Sequence, residues 1–166
     1  MDVRGLSSTY QVRRLTAQDA DSVYELSIGN PLFYEYCPPH ATREGIMEDM
    51  RALPPGKSAC DKFYVGYFCE NELIAIMDLI FSYPAKNTAW IGLFMMNQGH
   101  QHRGIGSEII RECAMCLKDL GVEFIQLAIA KGNPQSEHFW RKNKFHKTGR
   151  EVPKEGYTAV VMQRAL

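Results

Sequence analysis

The chain has 166 residues, 45% of them hydrophobic and 23% charged, which is typical of one soluble globular domain with a full-sized core. Lys plus Arg and Asp plus Glu both number 19, so the basic excess of nucleic-acid and anionic-membrane binders is missing. No apolar run reaches the roughly 18 residues of a membrane span, and the five cysteines are too scattered for a disulfide framework. We therefore expect a cytoplasmic protein with one domain over residues 1–166 and no nucleic-acid or membrane partner.

The first part of the chain predicts one strand and two helices. Weak alternation indicates a strand over Gln11–Leu15, and Thr16 is a good N-cap for a helix over Ala17–Ile28. Thr42 caps a second helix, in which apolar residues recur at helical spacing. Residues 31–41, between the helices, are rich in aromatic residues and prolines, and we expect them to form a loop.

Strands dominate the middle of the chain. Phe63–Phe68 and Leu73–Phe81 flank a hairpin turn, and a third strand, Trp90–Met96, follows a second turn. The third strand leads through glycines into an amphipathic helix over Ile105–Leu120. A further strand is predicted over Phe124–Ala130.

The last part of the chain predicts a helix and two strands. Asn133 followed by Pro134 is an N-cap with a first-turn proline, and the helix extends to about Lys142. Strands follow over Phe145–Val152 and Tyr157–Met162. The order β-α-α-β-β-β-α-β-α-β-β predicts an α/β fold, with a mixed, mostly antiparallel sheet of about seven strands and about four helices.

The segment Gln101–Ser107 joins a predicted strand to a predicted helix through two glycines. Such a turn leaves backbone N–H groups unpaired at the positive end of the helix dipole, which favours phosphate binding. A Gly-x-Gly pair can also serve only to turn the chain. The dinucleotide fingerprint is disfavoured because its third glycine is replaced by Ile109, and the nucleoside-triphosphate loop is disfavoured because its Gly-Lys-Ser/Thr is missing. The segment predicts a site for a phosphorylated cofactor.

Two sequence blocks carry a resemblance to a known family. Gln101-x-x-Gly104-x-Gly106 resembles the Arg/Gln-x-x-Gly-x-Gly/Ala signature of the GNAT superfamily of N-acetyltransferases, and residues 91–96 are similar to that family's fourth strand. Asn133–Phe145 resembles the family's closing pattern, in which an Asn opens the last helix, an aromatic pair follows, and a Phe lies on the next strand. The resemblance implies a single N-acetyltransferase domain.

The resemblance also implies a cofactor and its site. Acetyl-CoA is expected in a cleft where the fourth and fifth strands part, with its diphosphate on the backbone amides of residues 102–107 and no side chain at Gly104 or Gly106 to displace it. A backbone N–H of Met95 or Met96 is expected to face the thioester oxygen. The residues implied in cofactor binding are Phe94, Met95, Met96, Gln101, His102, Arg103, Gly104, Ile105, Gly106, Ser107, Asn133 and Trp140.

The chain departs from the family pattern in its acid and base. Trp90 stands where many members place a Glu base, and Trp140 stands where many place a Tyr acid. Asp78 lies inside the apolar run Ile74–Ile80, where a carboxylate is costly unless it is paired or lines a cleft. We expect Asp78 to be either the base or a substrate anchor. The alternative is a carboxylate bonded to a local partner or facing solvent.

Other polar and aromatic residues are weaker candidates. Tyr34 and Tyr36 lie between the first two helices, a segment that walls the acceptor site in this family, so they are interpreted as substrate contacts or as core anchors. Histidines have a suitable intrinsic pKa for a base but are more typical of surface or packing positions. Cys113 and Cys116 fall on the inward face of a helix without further ligands, so we expect buried free thiols and no metal site.

The resemblance predicts transfer of an acetyl group from acetyl-CoA to a primary amine, by direct attack in a ternary complex. The acceptor is a small-molecule amine or a protein amino group, and the protein is a monomer or a homodimer. Because the usual Glu and Tyr are absent, a catalytically weak or silent acyl-CoA-binding sensor of the same fold is the alternative. A nucleotide-binding protein is a third hypothesis.

Overall fold

The computed structural model describes residues 1–166, which form seven strands and five helices, with short 3-10 turns at 3–6, 17–19 and 98–100. The strands are β1 (Gln11–Arg14), β2 (Lys62–Cys69), β3 (Glu72–Phe81), β4 (Thr88–Met96), β5 (Phe124–Ala130), β6 (His146–Lys154) and β7 (Tyr157–Ala165). The helices are α1 (Ala20–Ile28), α2 (Pro31–Tyr36), α3 (Arg43–Arg51), α4 (Ile105–Asp119) and α5 (Pro134–Lys142).

The structure contains one helix more than the sequence predicted. Residues 31–41 were expected to form a loop, but Pro31–Tyr36 is the short helix α2. Pro31 occupies its first turn, where the missing N–H costs no hydrogen bond. The predicted caps are confirmed, since the side chains of Thr16, Thr42 and Asn133 each accept a backbone N–H at the start of a helical segment.

The predicted mixed sheet is confirmed. Its strand order is β1-β2-β3-β4-β5-β7-β6, and only β4 and β5 run parallel. Pairing between these two strands ends at Ile91 and Leu127. Beyond that point β4 continues through residues 92–96 and β5 through 128–130 without pairing with each other. The two strands therefore part, and a cleft opens between them.

A β-bulge lies at the point where the cleft begins. On β3, Asp78 is opposite Leu93 and the next residue, Leu79, is opposite Ile91. Gly92 is therefore the extra residue on β4, and bulges of this kind redirect the strand and the neighbouring side chains. Gly92 is exposed, whereas most of β4 is buried or half-buried.

The two faces of the sheet pack against different helices. One cluster contains buried residues of α4 and α5 together with Met77, Ile91 and Leu127 of the sheet. The other contains residues of α1 and α3 together with Tyr64 and Ile76. Since Asp78 is two residues beyond Ile76 and pairs with Tyr64, its side chain lies on the α1–α3 face.

A buried carboxylate attaches the N-terminal segment to α4. Glu112 accepts hydrogen bonds from the hydroxyls of Ser7, Ser8 and Thr9 and from the Ser8 N–H. Burial alone raises the pKa of Glu112, but these donors outweigh it and lower the pKa to about 2. The ionised form is therefore the one that the folded protein stabilises.

We expect Glu112→Gln to lower the free energy of unfolding at pH 7 by about 1–3 kcal/mol, because the amide replaces an acceptor by a donor among three hydroxyls. In the wild type, the stabilisation is complete above the ordinary carboxyl pKa of 4.5 and is lost as the pH falls towards about 2. Denaturant unfolding between pH 2.5 and 7 measures both effects.

The control for this prediction is Glu151→Gln, which breaks the exposed ion pair between Glu151 and Lys131. Exposed pairs contribute little, so its stability is expected to stay within about 0.5 kcal/mol of the wild type. An equal loss in both variants would contradict a special role for Glu112.

None of the helices combines the length with the apolar character needed to cross a bilayer.

Candidate functional site

The main cavity, of about 380 Å³, lies between the end of β4, the start of α4 and α5. This main cavity is within the size range of small-molecule sites. Ten of the residues predicted to bind a cofactor line it: Phe94, Met95, Met96, Gln101, His102, Gly104, Gly106, Ser107, Asn133 and Trp140. The two remaining predicted residues, Arg103 and Ile105, belong to the same segment but do not line the cavity.

The start of α4 presents unpaired backbone donors to the main cavity. Glu108 is the first residue of the helix to donate to a preceding carbonyl, that of Gly104, at 3.0 Å. The amides of Ile105, Gly106 and Ser107 therefore have no partner in the helix, and no side chain caps them. Three N–H groups at the positive end of a 15-residue helix form a site for an anion.

The two glycines of this segment are needed for different reasons. Gly104 has φ +84° and nothing within 4 Å of the position that a Cβ would take, so a side chain there would be strained and would enter the open space before the helix. A Cβ at Gly106 would lie 3.2 Å from the ring of Phe139. Gly106 therefore allows α5 to approach α4, in addition to leaving its amide accessible.

Gln101 shapes this turn, as its place in the sequence block implied. Its Nε2 donates to Asn30 Oδ1 at 2.7 Å and to the Met96 carbonyl at 3.3 Å. Asn30 donates in turn to the same carbonyl at 2.9 Å. The connection between α1 and α2, the end of β4 and the start of α4 are thus joined by one amide network.

The open edge of β4 carries free backbone N–H groups. Asn97 N–H donates to the Ile74 carbonyl at 2.8 Å, so alternate residues of β4 bond to β3. Met95 belongs to this bonded set, whereas Phe94 and Met96 direct their N–H groups towards β5, which does not pair with them. The N–H of Met95 or Met96 was expected to face the thioester oxygen. Of these two groups, the Met96 N–H lies on the open edge of β4.

Aromatic side chains of α5 pack against the end of β4. Phe139 stacks on Phe94 with ring centroids 5.8 Å apart, and Trp140 meets both rings edge to face. Asn133 caps the helix by accepting the Ser136 N–H at 3.0 Å and lines the main cavity beside them. This packing holds α5 against the parted strands, so the cavity has one apolar wall.

The charges around the main cavity favour an anionic ligand. Its lining includes the Lys142 side chain and the three histidines His100, His102 and His138, and none of its lining residues is acidic. The Lys142 ammonium and the free amides of α4 together give a positive potential at one end of the cavity.

A smaller inner cavity of about 80 Å³ continues from the main one into the gap between β4 and β5. Gly92 and Leu93 of β4 face Ala128 and Ala130 of β5 across it. Cys37, which directly follows α2, also lines this cavity.

Asp78 lines neither cavity: it lies against Gly92, which lines the inner cavity, and it is paired with a lysine. Its Oδ2 accepts from Lys62 Nζ at 2.8 Å, while its Oδ1 is buried without a hydrogen-bond partner. Burial raises the pKa of the Asp78 carboxyl, the Lys62 contact lowers it, and the charge of Asp49 raises it again, so the pKa stays above its usual value. The sequence analysis considered a cleft residue or a locally bonded carboxylate; Asp78 has the local bond, and its neighbour Gly92, not Asp78 itself, lines the inner cavity.

The other candidate residues lie outside the two cavities. Tyr34 packs edge to face on Phe33 and, like Tyr36, is half-buried on α2, so the cavity wall on this side is formed by Phe33 instead. Trp90, half-buried on β4, packs against Tyr83 with ring centroids 5.8 Å apart.

Several cavity residues were not among those predicted to bind the cofactor. They are Asn30, Phe33, His100, Gln135, Ser136, His138, Phe139 and Lys142. Helical spacing from Asn133 would have found Ser136 and Phe139, because residues three or four apart share a helix face. Asn30 and Phe33 had no such signal, since they reach the main cavity only through the folding of α2 across β4.

The cysteines do not form a second site. Cys113 is buried and Cys116 half-buried on α4, and burial raises the pKa of the Cys113 thiol to about 12. No three His, Cys, Asp or Glu side chains come together as a set that could hold a metal ion.

Comparison of the sequence with known protein families gives one match. The model of the Acetyltransferase (GNAT) family matches residues 23–145, well over half of the chain. No curated protein matches in sequence.

Solved structures share the fold along nearly their whole length. An acetyltransferase from Thermus thermophilus is 22% identical with a TM-score of 0.75, covering 95% of this chain and 97% of that one. The PaiA N-acetyltransferase from Thermoplasma acidophilum, solved with coenzyme A, is 17% identical with a TM-score of 0.70, covering 95% and 99%. The ribosomal-protein-S18-alanine N-acetyltransferase from Escherichia coli is 10% identical with a TM-score of 0.67, covering 94% and 93%. With the family match over residues 23–145, the chain belongs to the Acetyltransferase (GNAT) family.

Proposed function

We propose that this protein is an acetyl-CoA-dependent N-acetyltransferase that transfers the acetyl group directly to a primary amine in a ternary complex. The observation that carries the proposal is the continuous path from the free amides of α4, along the open edge of β4, to the inner cavity beside Asp78. An anion site at one end and a carboxylate at the other suit a phosphorylated donor and an amine acceptor.

The residues present fit coenzyme A. The amides of Ile105, Gly106 and Ser107 would hold its diphosphate, with Lys142 adding positive charge. The N–H groups of Phe94 and Met96 would pair with its pantetheine arm, and Asn133 would meet the arm from α5. Acetyl-CoA supplies an acetyl group activated as a thioester. A fixed N–H at Met96 would stabilise negative charge on the acetyl oxygen.

Asp78 is the proposed proton acceptor. As the bond from the amine nitrogen to the acetyl carbon forms and the carbon–sulfur bond breaks, Asp78 takes the proton that the nitrogen releases. Its Oδ2 is the oxygen nearer Gly92 and the inner cavity and accepts from Lys62, while Oδ1 is buried without a partner. Trp140 has no hydroxyl to protonate the departing sulfur, so we assign that proton to water.

The acceptor side is formed by α2 and the segment that follows it. Phe33 and Cys37 line the cavities, and Tyr34 and Tyr36 are proposed to meet the acceptor from the same helix. Both a small-molecule amine and a protein amino group suit this arrangement.

A thermal-shift and turnover experiment tests the proposal. We expect acetyl-CoA to raise the melting temperature, since a ligand that binds only the folded state stabilises it, and ATP and NAD not to do so. Release of free CoA is then measured over a panel of small amines, amino acids and peptides with free N-termini. CoA release with at least one amine supports the proposal.

The same experiment separates the alternative. The absence of a hydroxyl at Trp140 favours a silent acyl-CoA-binding sensor, which would show the thermal shift without turnover of any amine. Stabilisation by ATP or NAD and not by acetyl-CoA would instead favour a nucleotide-binding protein.

A further inference from the structure

The Asp78 carboxylate occupies the space that a side chain of β4 would fill. If Gly92 carried a Cβ, that atom would lie 2.7 Å from Asp78 Oδ2, which is shorter than real contacts of a Cβ atom, and 3.3 Å from Asp78 Cγ, which is a tight contact. Asp78 is on β3 and Gly92 is the extra residue of the bulge on β4. The neighbouring strand thus supplies a carboxylate at the β4 edge of the inner cavity, next to a residue that has no side chain.

We infer that Gly92 and Lys62 are positioning residues of the acetyl transfer: Gly92 leaves the space that the Asp78 carboxylate occupies, and Lys62 holds the carboxylate in that space in its ionised form. This inference rests on the proposed function. Neither residue touches the reacting atoms, and both act through Asp78.

The Lys62 side chain is built to hold this position. Lys62 is only 5% exposed, and its Nζ donates to Asp78 Oδ2 at 2.8 Å and to the Ala52 carbonyl at 2.9 Å. The carbonyl anchors the ammonium to the end of α3, independently of the carboxylate. Rotation of the carboxylate is therefore restricted by one strong bond, and Oδ1 is left without a partner.

The charged and titratable groups around Asp78 come from three further elements. Lys62 and Tyr64 face it from β2, Asp49 lies nearby on α3, and Tyr34 of α2 lies beside Tyr64. Lys62 is the only cation among them. Without it, Asp78 would be a buried carboxylate near a second carboxylate, a combination that favours the protonated form and removes the base.

The test is the pH profile of kcat/KM for the wild type, Lys62→Met and Lys62→Arg. Loss of the cation in Lys62→Met is expected to move the acidic limb of the profile at least one pH unit upward, because Asp78 stays protonated to higher pH. Lys62→Arg keeps the charge and is expected to keep the limb within about 0.3 pH unit of the wild type. A purely structural role would lower the melting temperature without moving the limb.

A second readout does not depend on turnover. The carboxyl carbon of Asp78, followed by NMR, is expected to titrate at least one unit higher in Lys62→Met than in the wild type. If Lys62→Met does not fold, Lys62→Gln replaces it in both measurements.

Gly92 is tested by Gly92→Ala, with Gly5→Ala as the matched control. The added methyl group must displace the Asp78 carboxylate, so we expect kcat to fall at least tenfold while the KM for acetyl-CoA changes less than twofold. Gly5 is exposed and remote, and its Cβ would make only an ordinary 3.6 Å contact with Cys116, so its variant is expected to match the wild type.

The outcomes separate the inference from the proposed function. The inference would be overturned if the wild type is active and Lys62→Met changes neither the acidic limb of the pH profile nor the titration of Asp78. Full kcat in Gly92→Ala would also overturn it. Either result would leave the proposed function standing. A wild type that binds acetyl-CoA but turns over no amine would overturn both.

Discussion

Asp78→Asn is expected to lower kcat/KM for the amine about 10²–10⁴-fold, the usual contribution of a general base, while the Kd for acetyl-CoA stays within about twofold of the wild type. The amide fills the same volume beside Gly92 but cannot take a proton. Donor binding is separate, because Asp78 does not line the main cavity. Steady-state kinetics and calorimetric titration with acetyl-CoA check the two halves of this prediction.

In Asp78→Asn, Lys62 stays buried without its counter-charge, and this effect needs a control variant. An unpaired buried ammonium destabilises a fold strongly, so the double variant Lys62→Met with Asp78→Asn is expected to recover thermal stability. Because it still lacks the base, it is expected to remain inactive. Activity restored in the double variant, or unchanged in the single one, would remove Asp78 from the chemistry.

Gly104→Ala is expected to weaken acetyl-CoA binding about tenfold or more, equivalent to about 1.4 kcal/mol. Gly104 has φ +84°, and its Cβ would project into the open space in front of the free amides of α4. The methyl group therefore both strains the turn and intrudes on the anion site. Equilibrium titration with coenzyme A measures the effect.

Gly121→Ala is the matched control, since Gly121 follows the opposite end of the same helix. It has nearly the same φ, +82°, and equally open surroundings. We expect both variants to lose a similar amount of stability from left-handed strain, about 1–2 kcal/mol, but only Gly104→Ala to lose affinity. Equal affinity in the two variants would show that the diphosphate does not lie against this turn.

Local chemistry accounts for most of the elements that the sequence predicted correctly. The caps at Thr16, Thr42 and Asn133 satisfy backbone donors within their own turns, so neighbouring residues are enough to recognise them. The strand β5 was predicted with its observed bounds, because its apolar run ends at glycine-containing turns on both sides. The short helix α2 was missed because six residues cannot form a stable helix by themselves.

The sequence by itself determined the order of the strands and of four of the five helices. It also located the free amides at the start of α4, because the Gly-x-Gly turn and these amides belong to one continuous segment. Only the tertiary structure decided which edge of β4 is open, where Asp78 lies relative to the cleft, and that Lys62 and Gly92 adjoin it. These features depend on the register and the bulge between β3 and β4. A shift of one residue in register reverses which face each side chain occupies. Because β3 is buried along nearly its whole length, its sequence has no polar–apolar alternation from which the register could be read.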